Sequence, residues 1–135
     1  MCVHNAGRSV MAEGLFNRLA GGRGEAISAG TTPEVAPYPE VVEAMREAGI
    51  DVSEHRGRLL TDELVGSADR VITMGCSVDS QACPAIRYAR VEDWGLEDPR
   101  GQSPERVREI RDEIRRRVAE LIDPNTTTAA DKVMP

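Results

Sequence analysis

The chain has 135 residues, of which 40% are apolar and 30% charged, a balance that suits one packed domain and leaves too little length for two. Its net charge of -6 provides no bulk positive field, which argues against nucleic acid or an anionic membrane as the main partner. No basic segment followed by an apolar run opens the chain, and no stretch nears the roughly 20 apolar residues that span a bilayer, so a cytoplasmic protein is expected.

Along the chain, Ala12, Leu15, Phe16 and Leu19 recur at helical spacing between Ser9 and Ala20, and Gly21-Gly22 stops the pattern. Glu25 to Ser28 reads as a short strand, and Ala29 to Pro39, with Gly30 and three prolines, as loop. Pro39 suits the first turn of a second helix through Val41, Val42, Met45 and Ala48, ending at Gly49. Ile50 to Ser53 is a short strand or turn, and Thr61 caps a short helix to about Gly66. The β-branched run Arg70 to Met74 predicts a buried parallel strand, followed by a loop from Gly75 to Ile86, a strand around Tyr88 to Val91, and a loop holding Trp94 and Asp98-Pro99-Arg100-Gly101. From Ser103-Pro104 a last helix presents Val107, Ile110, Ile114, Val118 and Leu121 as its buried stripe, with Arg115, Arg116 and Arg117 on its solvated face. Residues 123–135 read as a disordered tail beyond a single domain of residues 1–122. Strands alternating with helices imply α/β architecture, with functional loops at the C-terminal ends of the strands.

Cys2, Cys76 and Cys83 are an odd set, too sparse for the disulfide framework of a small secreted scaffold. Reactive or redox thiols are the better expectation. His4 and His55 offer no zinc spacing beside them, so no metal site is expected.

The first eight residues after Met1, Cys2-Val3-His4-Asn5-Ala6-Gly7-Arg8-Ser9, set a thiol six positions before an arginine at the start of a helix. Backbone N–H groups of Val3 to Ser9 can turn inward around a tetrahedral oxyanion, with the helix adding its positive end. Arg8 can clamp two oxygens with its planar fork, and the same field favours the Cys2 thiolate. Gly7 permits a tight backbone, Ser9 can donate to the sulfur, and Asn5 can bond the loop's own backbone to hold its shape.

The segment Cys2 to Glu13, CVHNAGRSVMAE, resembles the catalytic loop and first helix of arsenate reductases related to low-molecular-weight tyrosine phosphatases. The resemblance continues through Ser28-Ala29-Gly30-Thr31, Glu43-Ala44-Met45 to Asp51, Val71 to Cys76, Asp93-Trp94 and Asp98-Pro99, to about Ile122. It implies a three-layer α/β sandwich around a small parallel sheet, and reduction of arsenate to arsenite. In the roles it implies, Cys2 attacks arsenate, Cys76 attacks the resulting adduct, Cys83 resolves the disulfide, and Asp98 is the general acid. Asp93 is the nearest rival to Asp98. No cofactor is bound tightly; an external thiol supplies electrons. The spacing of Cys76 and Cys83 resembles the thioredoxin-coupled branch, while CVHNAGRS and VITMGC also resemble arsenate-mycothiol transferases finished by a mycoredoxin. Phosphate or sulfate can enter the same loop. The other reading is a tyrosine or small-molecule phosphatase using Cys2, Arg8 and Asp98, against which stands an aromatic content of only 3%.

Two departures follow. The family places a short strand directly before its catalytic cysteine, whereas only Met1 precedes Cys2, so that strand is expected to be missing here and the natural product to begin several residues upstream. Some members hold potassium through side chains equivalent to Asn5, Glu13, Ser28 and an acid near position 58. Arg58 stands there instead, so a cation is disfavoured.

Overall fold

A computed structural model describes residues 5–68, 70–74 and 91–122. Cys2, Val3, His4, Cys76, Cys83, the stretch 88–90 and the tail from 123 lie outside the described residues.

Four helices and two strands follow in the order α1 (Arg8–Ala20), α2 (Pro39–Glu47), α3 (Asp62–Gly66), β1 (Val71–Thr73), β2 (Val91–Asp93) and α4 (Pro104–Ile122). α1 packs along α4, and α2 against α4. Four-residue steps carry Ile110, Ile114, Val118 and Ile122 down one face of α4 into the core. That progression corrects one expected position: Ile122 is buried, and Leu121 only packs against the cluster from its edge. Met11, Leu15, Phe16, Val41 and Met45 complete the core from α1 and α2.

β1 and β2 are parallel, with Val71 opposite Val91, Ile72 opposite Glu92 and Thr73 opposite Asp93. A side-chain bond reinforces the last pair, Thr73 Oγ1 donating to Asp93 Oδ1 at 2.7 Å, and Trp94 N extends the pairing onto Thr73 O at 2.8 Å. The first strand is thus one residue shorter at each end than expected, and the second continues past Val91 to Asp93.

The strand expected at Glu25 to Ser28 is absent. Its N–H groups are taken by side chains: Ala26 N donates to Asn17 Oδ1 at 2.8 Å and Ser28 N to Glu13 Oε1 at 2.7 Å. An amide committed to a side chain cannot enter a ladder. Ile50 to Ser53 takes the turn form of its two expected forms, with Ser53 N and Oγ both donating to Asp51 Oδ1. Arg117 is not simply solvated, since its guanidinium lies 5.8 Å from the Trp94 ring centroid and its Nε bonds Glu113.

Among the described residues β1 pairs with β2 alone, and its residues Val71 and Ile72 help line a cavity of about 410 Å³ that reaches the 24–29 segment and α1. Segment 57–60 instead reaches Gly30 directly: Gly30 N donates to Arg58 O and Leu60 N to Gly30 O, both at 2.9 Å. Gly57 makes that approach possible, because a Cβ there would fall 2.0 Å from Glu34 O.

Ile114→Ala, at a fully buried position, is expected to destabilise the protein by about 2–5 kcal/mol in urea unfolding. Gly57→Ala is expected to cost about 1–3 kcal/mol, since backbone rather than a yielding side chain must move; an unchanged midpoint in the same assay would refute the contact.

Candidate functional site

The residues leading into α1 form a shaped loop. Asn5 is fully buried and adopts φ 51°, the left-handed region that asparagine tolerates better than most residues. Ala6 O is turned outward and accepts from Tyr38 N at 3.0 Å. In a trans peptide the N–H points opposite to the carbonyl, so Gly7 N–H is directed to the other, inner side. Inward-turned main-chain N–H groups before a helix are the backbone form of an anion site. Met11 N closes the first helical turn on Gly7 O, leaving the earlier N–H groups of α1 directed along its axis toward that concavity.

Arg8 ties this loop to the sheet. Its Nη1 donates to Met74 O at 2.7 Å and to Leu96 O at 2.6 Å. These carbonyls lie just after β1 and β2, at the C-terminal ends of the strands where the alternating pattern placed functional loops. The expected anion clamp is therefore aligned by two main-chain acceptors.

Asp98 is exposed, and its Oδ1 accepts from Arg100 N at 3.0 Å in a tight turn. Pro99 behind it is buried against the N-terminal loop: a Cβ on Gly7 would lie 3.1 Å from Pro99 Cγ and 3.3 Å from the Tyr38 ring. A glycine at position 7 thus lets the Asp98 turn seat beside the anion loop. The turn is fastened on three sides. Glu97 pairs with Arg106 of α4, which holds its carboxyl below the ordinary carboxylate value; Arg100 lies 5.5 Å from the Tyr38 ring centroid; and Gly101 N donates to Glu40 Oε2 at 2.6 Å. Asp93, the rival acid, instead receives Thr73 Oγ1 across the sheet.

Asn5 reaches two side-chain and backbone neighbours, with Nδ2 donating to Ser9 Oγ at 3.0 Å and Oδ1 accepting from Arg58 N at 2.9 Å. Arg58 Nη1 in turn donates to Ser28 O at 3.3 Å. Ser28 Oγ donates to Glu13 Oε1 at 2.5 Å and lies 3.2 Å from His55 Nε2. Since the serine proton is committed to the carboxylate, the shared proton of the second contact belongs to His55 Nε2. Burial disfavours ionisation of Glu13, but the His55 and Ser28 hydrogen bonds outweigh it and hold the carboxyl below its ordinary value. His55 Nδ1 is buried with no partner among the described residues. The path returns to α1, since Ser9 and Glu13 stand one turn apart on it.

Of the expected residues, Asn5, Ala6, Gly7, Arg8, Ser9 and Asp98 come together around this loop. Tyr38 and His55 take places beside this loop that their sequence context does not signal. Tyr38 enters through its backbone N–H, which leaves no trace in residue type. His55 could be found only by knowing that the chain returns past Ser28.

The pattern of a family of low molecular weight phosphotyrosine protein phosphatases matches residues 1–133. Arsenate reductase 2 of Staphylococcus saprophyticus is 34% identical over 124 residues, covering 91% of this chain and 93% of its own. An arsenate reductase solved in its phosphate-binding state superposes with a TM-score of 0.79 at 34% identity, over 91% of this chain and 93% of that one. A low molecular weight protein tyrosine phosphatase from T. tengcongensis superposes equally well, with a TM-score of 0.79 at 32% identity over 91% and 95%. The thioredoxin-dependent arsenate reductase of Corynebacterium glutamicum matches at 38% identity and a TM-score of 0.69, over 88% of this chain and 56% of that protein. With a shaped loop at a helix start, its arginine anchored at the strand ends and the Asp98 turn seated on that loop, the chain belongs to the low molecular weight phosphotyrosine protein phosphatase family.

Proposed function

We propose that this protein reduces arsenate to arsenite by a relay of three thiols, with thioredoxin or a similar dithiol as the source of electrons. The observation that carries the reading is the Arg8 bridge from the anion loop to Met74 O. Met74, tied in this way to the loop that opens α1, is two residues before Cys76 in the sequence, which favours a reaction shared between Cys2 and Cys76. Relatives named for arsenate reduction and the thioredoxin dependence of the Corynebacterium protein support the same assignment.

In this scheme arsenate sits among the N–H groups from Val3 to Ser9, with Arg8 on two of its oxygens. The Cys2 thiolate forms a bond to arsenic, and one arsenate oxygen leaves as water after taking a proton from Asp98. The Cys76 thiolate then attacks the Cys2 sulfur. A disulfide forms, the sulfur–arsenic bonding pair stays on arsenic, and arsenic falls from the pentavalent to the trivalent state and departs as arsenite. Cys83 attacks Cys76 and releases the Cys2 thiolate, leaving a Cys76–Cys83 disulfide for the external dithiol to reduce. Two thiols lose one electron each, which balances the two-electron reduction. A mycothiol route would bypass Cys76 and deliver the adduct to a small thiol.

A phosphatase would stop at the first displacement and hydrolyse a phosphocysteine, needing only Cys2, Arg8 and Asp98. The equal fold likeness to a tyrosine phosphatase gives that reading its footing. Among the described aromatic residues Phe16 and Trp94 are buried in the core, which leaves Tyr38 beside Gly7 to meet an aryl substrate.

The test is arsenite release from arsenate with thioredoxin, thioredoxin reductase and NADPH. Cys2→Ser, Cys76→Ser and Cys83→Ser should each abolish steady turnover, while Cys76→Ser should retain whatever hydrolysis of a small aryl phosphate the parent shows. Release by Cys76→Ser at the parent's rate would overturn the relay. Arg8→Lys should lower kcat/KM for arsenate by about 100-fold, because an ammonium cannot reproduce the bidentate fork.

A further inference from the structure

The oxygens equivalent to the potassium ligands of some family members are Asn5 Oδ1, the Glu13 carboxylate and the Ser28 hydroxyl, and each is engaged by a donor of this chain. Arg58 N bonds Asn5 Oδ1 at 2.9 Å, and Ser28 N and Oγ both bond Glu13 Oε1, at 2.7 and 2.5 Å. His55 Nε2 faces Ser28 Oγ at 3.2 Å and Glu13 Oε1 at 3.7 Å. Where a fourth, acidic ligand would stand, Arg58 brings a guanidinium that donates to Ser28 O at 3.3 Å. These residues fit a cation poorly, because it would share oxygens already bonded to this chain's donors and would meet the Arg58 guanidinium where an acidic ligand would stand.

We infer that segment 55–58 does by hydrogen bonding what an ion would do, and that Arg58 is a positioning residue for the oxyanion loop. The argument runs through Asn5. Its left-handed backbone is unfavourable for a residue with a side chain and persists only where neighbours over-determine it. Arg58 N and Ser9 Oγ hold its side-chain amide at both ends. Arg58 is itself located by the Gly30 pairing on its carbonyl, by the close seat of Gly57 on Glu34, and by its guanidinium on Ser28 O. Loop shape is thereby built into the fold and independent of the salt present.

This inference rests on the oxyanion-loop reading but not on turnover, so it is measured by sulfate binding. Absence of arsenate reduction with sulfate binding intact would defeat the proposed reaction and leave this inference standing. Sulfate is titrated into the whole chain by NMR, in potassium chloride and in sodium chloride at equal ionic strength. The parent should bind equally in both, within about twofold. Arg58→Asp supplies the missing acid and removes the guanidinium; it should bind about tenfold more weakly in sodium and recover most of that in potassium. Tighter binding by the parent in potassium than in sodium, parent-like binding by Arg58→Asp in sodium, or no recovery in potassium would each overturn the inference. If Arg58→Asp does not fold, Arg58→Gln decides: it should weaken sulfate several-fold in both salts alike, and unchanged binding would overturn the role of Arg58.

Discussion

The guanidinium of Arg8 is the point on which the rest of the site depends. One nitrogen bonds the carbonyls that follow two neighbouring parallel strands, Met74 O and Leu96 O, and the same residue opens α1. A parallel sheet releases its loops at one end, so a donor group fixed there sets a common origin for whatever those loops carry. The Asp98 turn is referred to that origin, as is the loop that leads into α1.

Around this centre the protein arranges supports of different strength. The Thr73–Asp93 bond, the contact of Pro99 with the Gly7 backbone and the ring from Ser9 through Asn5, Arg58, Ser28 and Glu13 are short and at least partly shielded from water. Ion pairs such as Arg116 with Glu113 and Glu120 lie on the open face of α4 and add little individually. The distribution follows the demands of the chemistry. An oxyanion loop needs its donors placed within fractions of an ångström, and buried hydrogen bonds achieve that better than mobile surface charges.

What the sequence discloses follows the same division. α1 and α4 are legible because a buried face repeats every three or four residues, and the loop into α1 because a glycine and an arginine precede the helical pattern. Contacts closed by distant residues are not legible in that way. Glu25 to Ser28 carries ordinary strand residues, yet its amides go to Asn17 and Glu13, which no local pattern announces. Asn5 was readable as a loop-shaping residue, but its partner Arg58 is 53 positions away. Tyr38 contributes a main-chain N–H, for which its residue type is immaterial. The continuation of the second strand past Val91 has a similar origin, for Asp93 is polar and qualifies as strand only because Thr73 lies opposite.

Trp94, the only tryptophan of the chain, joins β2 to the turn bearing Asp98. Its indole is 6% exposed, donates to Glu92 Oε2 at 3.0 Å and lies beneath the Arg117 guanidinium. An indole with a carboxylate at its nitrogen and a cation over its face has an emission set by those two charges. The protein therefore contains its own optical probe, four residues before Asp98, and movement of the Asp98 turn away from the loop will appear as a change in colour and intensity without any label.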